Sequence, residues 1–245
     1  MPQPVTLFHV SDLHFGAEDR EALDWFADEV ARERPDGIVC TGDITMRARH
    51  REFAAATHWL AALAAPVMVL PGNHDMPYFN LVERFTRPYA RYRRLHASNH
   101  RDLALHGVAV IGLKTIARAQ WRLNWSKGRV SSVDLGATLD ALGAASAPMR
   151  LVACHHPLTG ANGAAGGSTH GGTAALAALA AAGADAVLSG HVHDPFDLVV
   201  DAGGRPIRLI GAGTLSERVR ATPPSYNRLV YDGGLHVEHR LASPR

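Results

Sequence analysis

Cysteine is scarce in this chain. Two residues, Cys40 and Cys154, stand among 245. Neither belongs to a C-x-x-C pair, so a thiolate metal site and a disulfide framework are both excluded. Each lies close to a polar cluster, yet a lone cysteine in an apolar run reads as a small core hydrophobe. Long hydrophobic runs are missing too. No stretch approaches the roughly 18 apolar residues of a membrane span. The opening MPQPVTLFHVSD carries neither a basic leader nor a cleavage-like site. The expectation is a reduced, cytoplasmic protein without a membrane partner. Charge excess is also lacking, at +2 with histidine neutral. So small a balance disfavours nucleic acid, whose phosphates call for a basic groove. No repeat and no linker composition stands out. Residues 1–245 are therefore expected to form a single domain, long enough for a sizeable core.

What is present is ordinary apolar content, 47%, and an unusual number of histidines, 15. Short apolar runs recur, and each ends in a polar cluster. VTLFHV (5–10) runs into Ser11-Asp12-Leu13-His14. GIVCT (37–41) runs into Gly42-Asp43. PVMVL (66–70) runs into Pro71-Gly72-Asn73-His74-Asp75. RLVAC (150–154) runs into His155-His156-Pro157, and ADAVLS (184–189) into Gly190-His191-Val192-His193. Such short, β-branched runs bounded by Gly or Pro predict buried strands. Helical periodicity falls between them, over Glu21–Arg34, Arg51–Ala64, Val133–Leu142 and Thr173–Ala182. Alternation of strands and helices indicates an α/β fold. DLALHGVAVIGL (102–113) predicts a hairpin turning at His106-Gly107. IRLIGAG, NRLVYD and LHVEHR predict antiparallel strands that complete a second sheet.

In an open α/β sheet the carboxyl ends of the strands share one rim, where ligands bind. The clusters can thus converge although they are far apart in sequence. They hold Asp, Asn and His and no Cys, a nitrogen–oxygen donor set suited to Zn, Fe, Mn or Co. In order they read D-x-H (Asp12, His14), G-D (Asp43), G-N-H-D (Asn73, His74, Asp75), H-H-P (His155, His156) and G-H-x-H (His191, His193). This series resembles the calcineurin-like metallophosphoesterases. Within them it is most similar to the bacterial class III cyclic-nucleotide phosphodiesterases. The likeness runs from about residue 5 to about 235 and includes GAGTLSERVR…PSYN (211–227).

The resemblance implies a four-layer α-β-β-α sandwich with two metals about 3.5 Å apart. Carried over by position, Asp12, His14 and His193 hold one metal, Asn73, His155 and His191 hold the other, and Asp43 bridges both. His155 is preferred to His156 on resemblance alone. His74 is not a ligand and faces substrate. A carboxylate between two dications relieves their repulsion. A hydroxide bridging them is a nucleophile at neutral pH. His74 is the candidate acid for the leaving oxygen, with Asp75 or Asp12 as candidates to orient its ring. The implied activity is hydrolysis of a small phosphodiester, either a 3′,5′-cyclic nucleotide such as cAMP or a glycerophosphodiester. A phosphomonoesterase or a nuclease on the same site is the alternative. A non-catalytic binding module is disfavoured, because the ligand set and His74 are complete.

Three stretches remain. RFTRPYARYRRLHASNHR (84–101) is read as a solvated helix face rather than a polyanion site. Trp121 and Trp125 are candidates for stacking a nucleobase, for a homodimer contact, or for plain packing. GANGAAGGSTHGG (160–172) is a candidate lid, with His170 a candidate substrate contact.

Overall fold

The apolar runs become strands in the computed structural model, which describes residues 3–77, 80–117, 127–160 and 169–243. Val5–Val10 (β1), Gly37–Cys40 (β2) and Val67–Val69 (β3) lie side by side in parallel. Between them run Arg20–Glu33 (α1) and His50–Ala62 (α2). Asp19 caps α1 by accepting the Ala22 amide at 3.2 Å, which satisfies one of the donors a helix start leaves open. Leu81–Thr86 (α3) and Ala90–Asn99 (α4) follow.

The second half repeats the pattern. Val108–Gly112 (β4), Met149–Ala153 (β5) and Ala186–Ser189 (β6) are parallel, with Ser132–Ala144 (α5) and Gly172–Ala181 (α6) between them. Phe196–Asp201 (β7) and Pro206–Gly211 (β8) close that sheet, in the order β4-β5-β6-β8-β7. Ser225–Tyr231 (β9) and Leu235–Leu241 (β10) return to the first sheet, in the order β10-β9-β1-β2-β3.

Three apolar layers separate four structural layers. Phe8, Val10 and Cys40 of the first sheet pack on Phe26, Val30, Phe53 and Leu60 of α1 and α2. Leu7 and Val39 face Leu151, Leu188 and Ile210 across the sheet–sheet interface. Val152, Val187 and Leu209 pack on Leu142, Leu176 and Leu179 of α5 and α6. Each large aliphatic or aromatic side chain buried this way contributes about 1.5–3 kcal/mol relative to exposure. The result is the expected α-β-β-α sandwich.

Two expectations fail. Residues 102–113 do not form a hairpin. Only β4 is a strand, and it pairs in parallel with β5, Val108 opposite Met149. Leu103 and Leu105 alternate like strand residues because they rest on the sheet–sheet core, without a ladder of their own. The last strands also do not all complete the second sheet. β9 pairs antiparallel with β1, and β10 with β9. Alternation marks a strand but does not name its partner.

Cys40 and Cys154 are fully buried, and burial pushes both thiols up to about 12. At neutral pH they remain protonated core residues, as expected.

Candidate metal centre

The polar clusters sit at the carboxyl ends of five strands, three from the first sheet and two from the second. Their loops are stitched together. The amides of Asp12 and His14 donate to the carbonyls of Gly42 and Asp43 at 2.9 and 3.0 Å. The His74 amide donates to Asp43 Oδ1 at 2.8 Å, and the His191 amide to Asp12 Oδ2 at 2.8 Å. Close approach needs small residues. A Cβ on Gly72 would lie 2.1 Å from Asp43 Oδ1, and one on Gly190 only 1.8 Å from Ser11 Oγ.

The backbone is strained here. Seven non-glycine residues have positive φ among the described residues, and five of them are Asp12, His14, Asp43, His191 and His193. A left-handed side-chain-bearing residue costs about 1 kcal/mol or more. Five in one place are held by the surrounding loops, not by local preference.

These loops bring the side chains together. The ligand atoms of Asp12, His14 and His193 lie within 4.8 Å of one another, as do those of Asp12, Asp43 and His155. His193 Nε2 is 3.1 Å from Asp12 Oδ1 and 3.2 Å from His14 Nε2. His155 Nε2 is 3.1 Å from Asn73 Oδ1 and 3.4 Å from Asp43 Oδ2. Asp43 Oδ2 is also 3.9 Å from His14 Nε2, which places it between the two groups. Apart from His191, which is half-buried, all these residues are buried.

Backbone carbonyls set the tautomers. His155 Nδ1 donates to Thr41 O at 2.8 Å and His193 Nδ1 to Arg218 O at 2.7 Å. Each ring then offers an Nε2 lone pair to the centre, the arrangement by which outer hydrogen bonds orient metal-binding imidazoles. The ligand atoms of His155, His156 and His191 also lie within 4.8 Å of one another. His156 Nδ1 bonds Thr115 Oγ1 at 3.0 Å and its ring packs 4.6 Å from His191, beside the centre.

The electrostatics suit a cation. Burial disfavours a charged Asp12, but the adjacent imidazoles of His14, His193 and His155 hold its carboxyl well below the usual range. Burial likewise opposes ionisation of Asp43, and His155, His74 and His14 outweigh it, holding Asp43 low. Burial works against a charged His155 too, yet Asp43 raises it to about 9. Burial lowers His191 to about 4. Asp12 Oδ1, His14 Nδ1 and Asn73 Nδ2 are buried without hydrogen-bond partners. Two lone-pair nitrogens 3.2 Å apart beside an orphaned carboxylate oxygen are matched by a cation among them. The residues present fit a metal centre.

His74 differs. Its Nδ1 bonds Met46 O at 2.7 Å, so neither Asp75 nor Asp12 orients the ring. Asp75 instead accepts amides from Ile44, Thr45 and Gly72, tying the loop after β2 to the loop after β3. Burial and the nearby Asp43 push Asp75 up to about 6. Burial lowers His74.

The sequence matches the calcineurin-like phosphoesterase family over residues 5–195. The chain belongs to that family. Calcineurin-like phosphoesterases use a dinuclear metal centre, and the His and Asp clusters of this member could bind metals. It is 38% identical over 80 residues to the glycerophosphodiester phosphodiesterase GpdQ of Enterobacter lignolyticus, covering 28% of this chain and 29% of that protein. It is 30% identical over 84 residues to a probable GpdQ of Arcobacter nitrofigilis, covering 34% and 29%. The matches thus span less than a third of those relatives. Among solved structures, a dimetal phosphatase from Danio rerio superposes with a TM-score of 0.66 at 14% identity, covering 98% of this chain and 99% of that one. Purple acid phosphatase PPD1 from yellow lupin gives 0.69 at 11% identity, covering 98% and 52%. At such identities these two show the shared fold.

Sequence reasoning missed one residue of this calcineurin-like site. Arg218, on the loop between β8 and β9, brings Nη1 within 3.4 Å of His14 Nε2 and 3.3 Å of His74 Nε2. The only signal was its place in GAGTLSERVR. Of the expected substrate contacts, only His170 falls among the described residues. His170 is exposed and bridges the Arg129 backbone. Trp121 and Trp125 lie outside the described residues, as does most of the glycine-rich candidate lid. The Arg- and Tyr-rich stretch is only partly a solvated face. Arg84 is buried and donates to Pro77 O, and Tyr92 OH donates to Val69 O. No helix among the described residues is long and apolar enough to cross a membrane.

Proposed function

We propose that this chain is a dinuclear metal-dependent phosphodiesterase acting on a small phosphodiester. The observation that carries the reading is the convergence of Asp12, His14, Asp43, Asn73, His155, His191 and His193, with three of their buried polar atoms left without partners. In this reading Asp12, His14 and His193 hold one ion, and Asn73, His155 and His191 the other. Asp43 lies between them. Bound there, a pair of Mn, Fe, Zn or Co ions supplies Lewis-acid stabilisation of phosphoryl oxygens and a lowered pKa for water. The chain does the rest. The strained loops hold the ligands before metal arrives, so little reorganisation remains. Thr41 and Arg218 carbonyls keep the His155 and His193 lone pairs turned inward. His74 gives a proton to the leaving oxygen. Burial lowers His74 in the free chain, and an anionic substrate beside the ring would raise it, so the ring would take its proton from solvent and pass it from Nε2 to the leaving oxygen.

Two substrate classes stand out. The two partial relatives named as glycerophosphodiester phosphodiesterases support a glycerophosphodiester. The motif resemblance supports a 3′,5′-cyclic nucleotide. A Mn-reconstituted sample assayed on bis(p-nitrophenyl) phosphate, glycerophosphodiesters, 3′,5′-cAMP and phosphomonoesters decides between them. The expected result is turnover of diesters well above monoesters. Hydrolysis of monoesters alone would replace the reading with a phosphomonoesterase.

A further inference from the structure

Arg218 has no role in the metal set, yet its backbone and side chain are both built into the site. Thr214 Oγ1 donates to Asp12 O at 2.6 Å and accepts the Ser216 amide at 3.1 Å. Ser216 Oγ in turn accepts the Arg218 amide at 3.3 Å. The Arg218 carbonyl takes the proton of His193 Nδ1 at 2.7 Å. The backbone of Arg218 is thus tied to Asp12 on one side and His193 on the other. Its half-buried guanidinium then reaches inward, with Nη1 placed between His14 Nε2 and His74 Nε2 and 3.9 Å from Met46 Sδ.

That placement leaves the guanidinium without a paired anion. Among the described residues Arg218 has no ion-pair partner. Its inward neighbours are two imidazoles and a thioether, with the carboxylates of Asp12 and Asp43 lying behind His14 Nε2 at 3.6 and 3.9 Å from it. Two metal cations nearby would repel it further. A structural arginine at a loop surface would normally meet a carboxylate or open water. A cation fixed at the mouth of a site whose reactant is anionic is instead matched by that reactant. Its planar fork can meet two oxygens of one phosphoryl group, as a lysine cannot.

We infer that Arg218 is a substrate-binding residue that grips the non-bridging oxygens of the phosphoryl group beside His74. The inference rests on the phosphodiesterase reading for its substrate, but its test does not depend on turnover. The probe is inorganic phosphate, titrated by calorimetry into the metal-reconstituted protein with metal content measured in parallel. Arg218→Met is expected to keep the metal content and weaken phosphate binding by about 10- to 100-fold, the range for lost charge-assisted hydrogen bonds. It should also raise KM for bis(p-nitrophenyl) phosphate more than it lowers kcat. Arg218→Lys, which keeps charge and stem but not the fork, should lose a smaller part of both. Phosphate binding within twofold of the unmodified protein in Arg218→Met would overturn the inference. So would loss of metal in both variants, which would make Arg218 a prop for His193 alone. A reconstituted protein that binds phosphate through Arg218 but hydrolyses no phosphoester would remove the enzymatic reading and leave Arg218's role intact.

Discussion

Replacing Asp43 with asparagine is expected to lower kcat/KM for a phosphodiester by about a thousandfold or more, while the fold survives. Asparagine is the informative change because Asp43 has φ 50. Asn tolerates the left-handed region, whereas alanine adds backbone strain. Its amide oxygen can still accept the His74 amide that Asp43 Oδ1 takes at 2.8 Å. What disappears is the charge that faces His155 Nε2 at 3.4 Å and His14 Nε2 at 3.9 Å. Without it, two cations in neighbouring ligand sets have no anion between them. Metal content should drop together with activity, and thermal stability of the metal-free protein should change little. Steady-state kinetics, metal analysis and a melting curve on the same preparation check this. Full activity in Asp43→Asn would remove Asp43 from the bridging position.

The second large effect concerns His74. His74→Ala is expected to slow hydrolysis of alkyl phosphodiesters by about 10²- to 10⁴-fold, the range for a lost general acid. For p-nitrophenyl esters the loss should be far smaller, because nitrophenolate leaves without protonation. The Met46 carbonyl holds Nδ1, so Nε2 would be the proton donor. Equal losses on both substrate types would assign His74 to positioning the phosphoryl group, alongside Arg218.

The candidate centre could be proposed from sequence because its residues are local. Each candidate ligand lies within a few residues of a strand end, and parallel strands put their carboxyl ends on one rim. Asp12 and His14 follow β1, Asp43 follows β2, and His191 and His193 follow β6. What escaped is what long-range geometry decides. Arg218 belongs to no short motif and enters only because the loop before β9 folds back on Asp12 through Thr214. The ring acceptors Thr41, Met46 and Arg218 act through their carbonyls, which side-chain identity does not encode. β9 and β10 alternate like any half-exposed strand, and only packing against β1 sends them to the first sheet. Leu103 and Leu105 imitated a strand by alternating over the core without pairing. The left-handed backbone at five candidate ligands was equally invisible, since none of them is a glycine. There the tertiary fold overrides local preference, as happens where function requires a strained geometry.

The central claim is a paired metal site, and metal stoichiometry tests it most directly. Purified protein should be stripped, reconstituted in turn with Mn, Fe, Zn and Co, freed of excess metal, and analysed by mass spectrometry of the elements. About two ions per chain are predicted for at least one of these metals. One ion or fewer per chain with every metal would contradict the account.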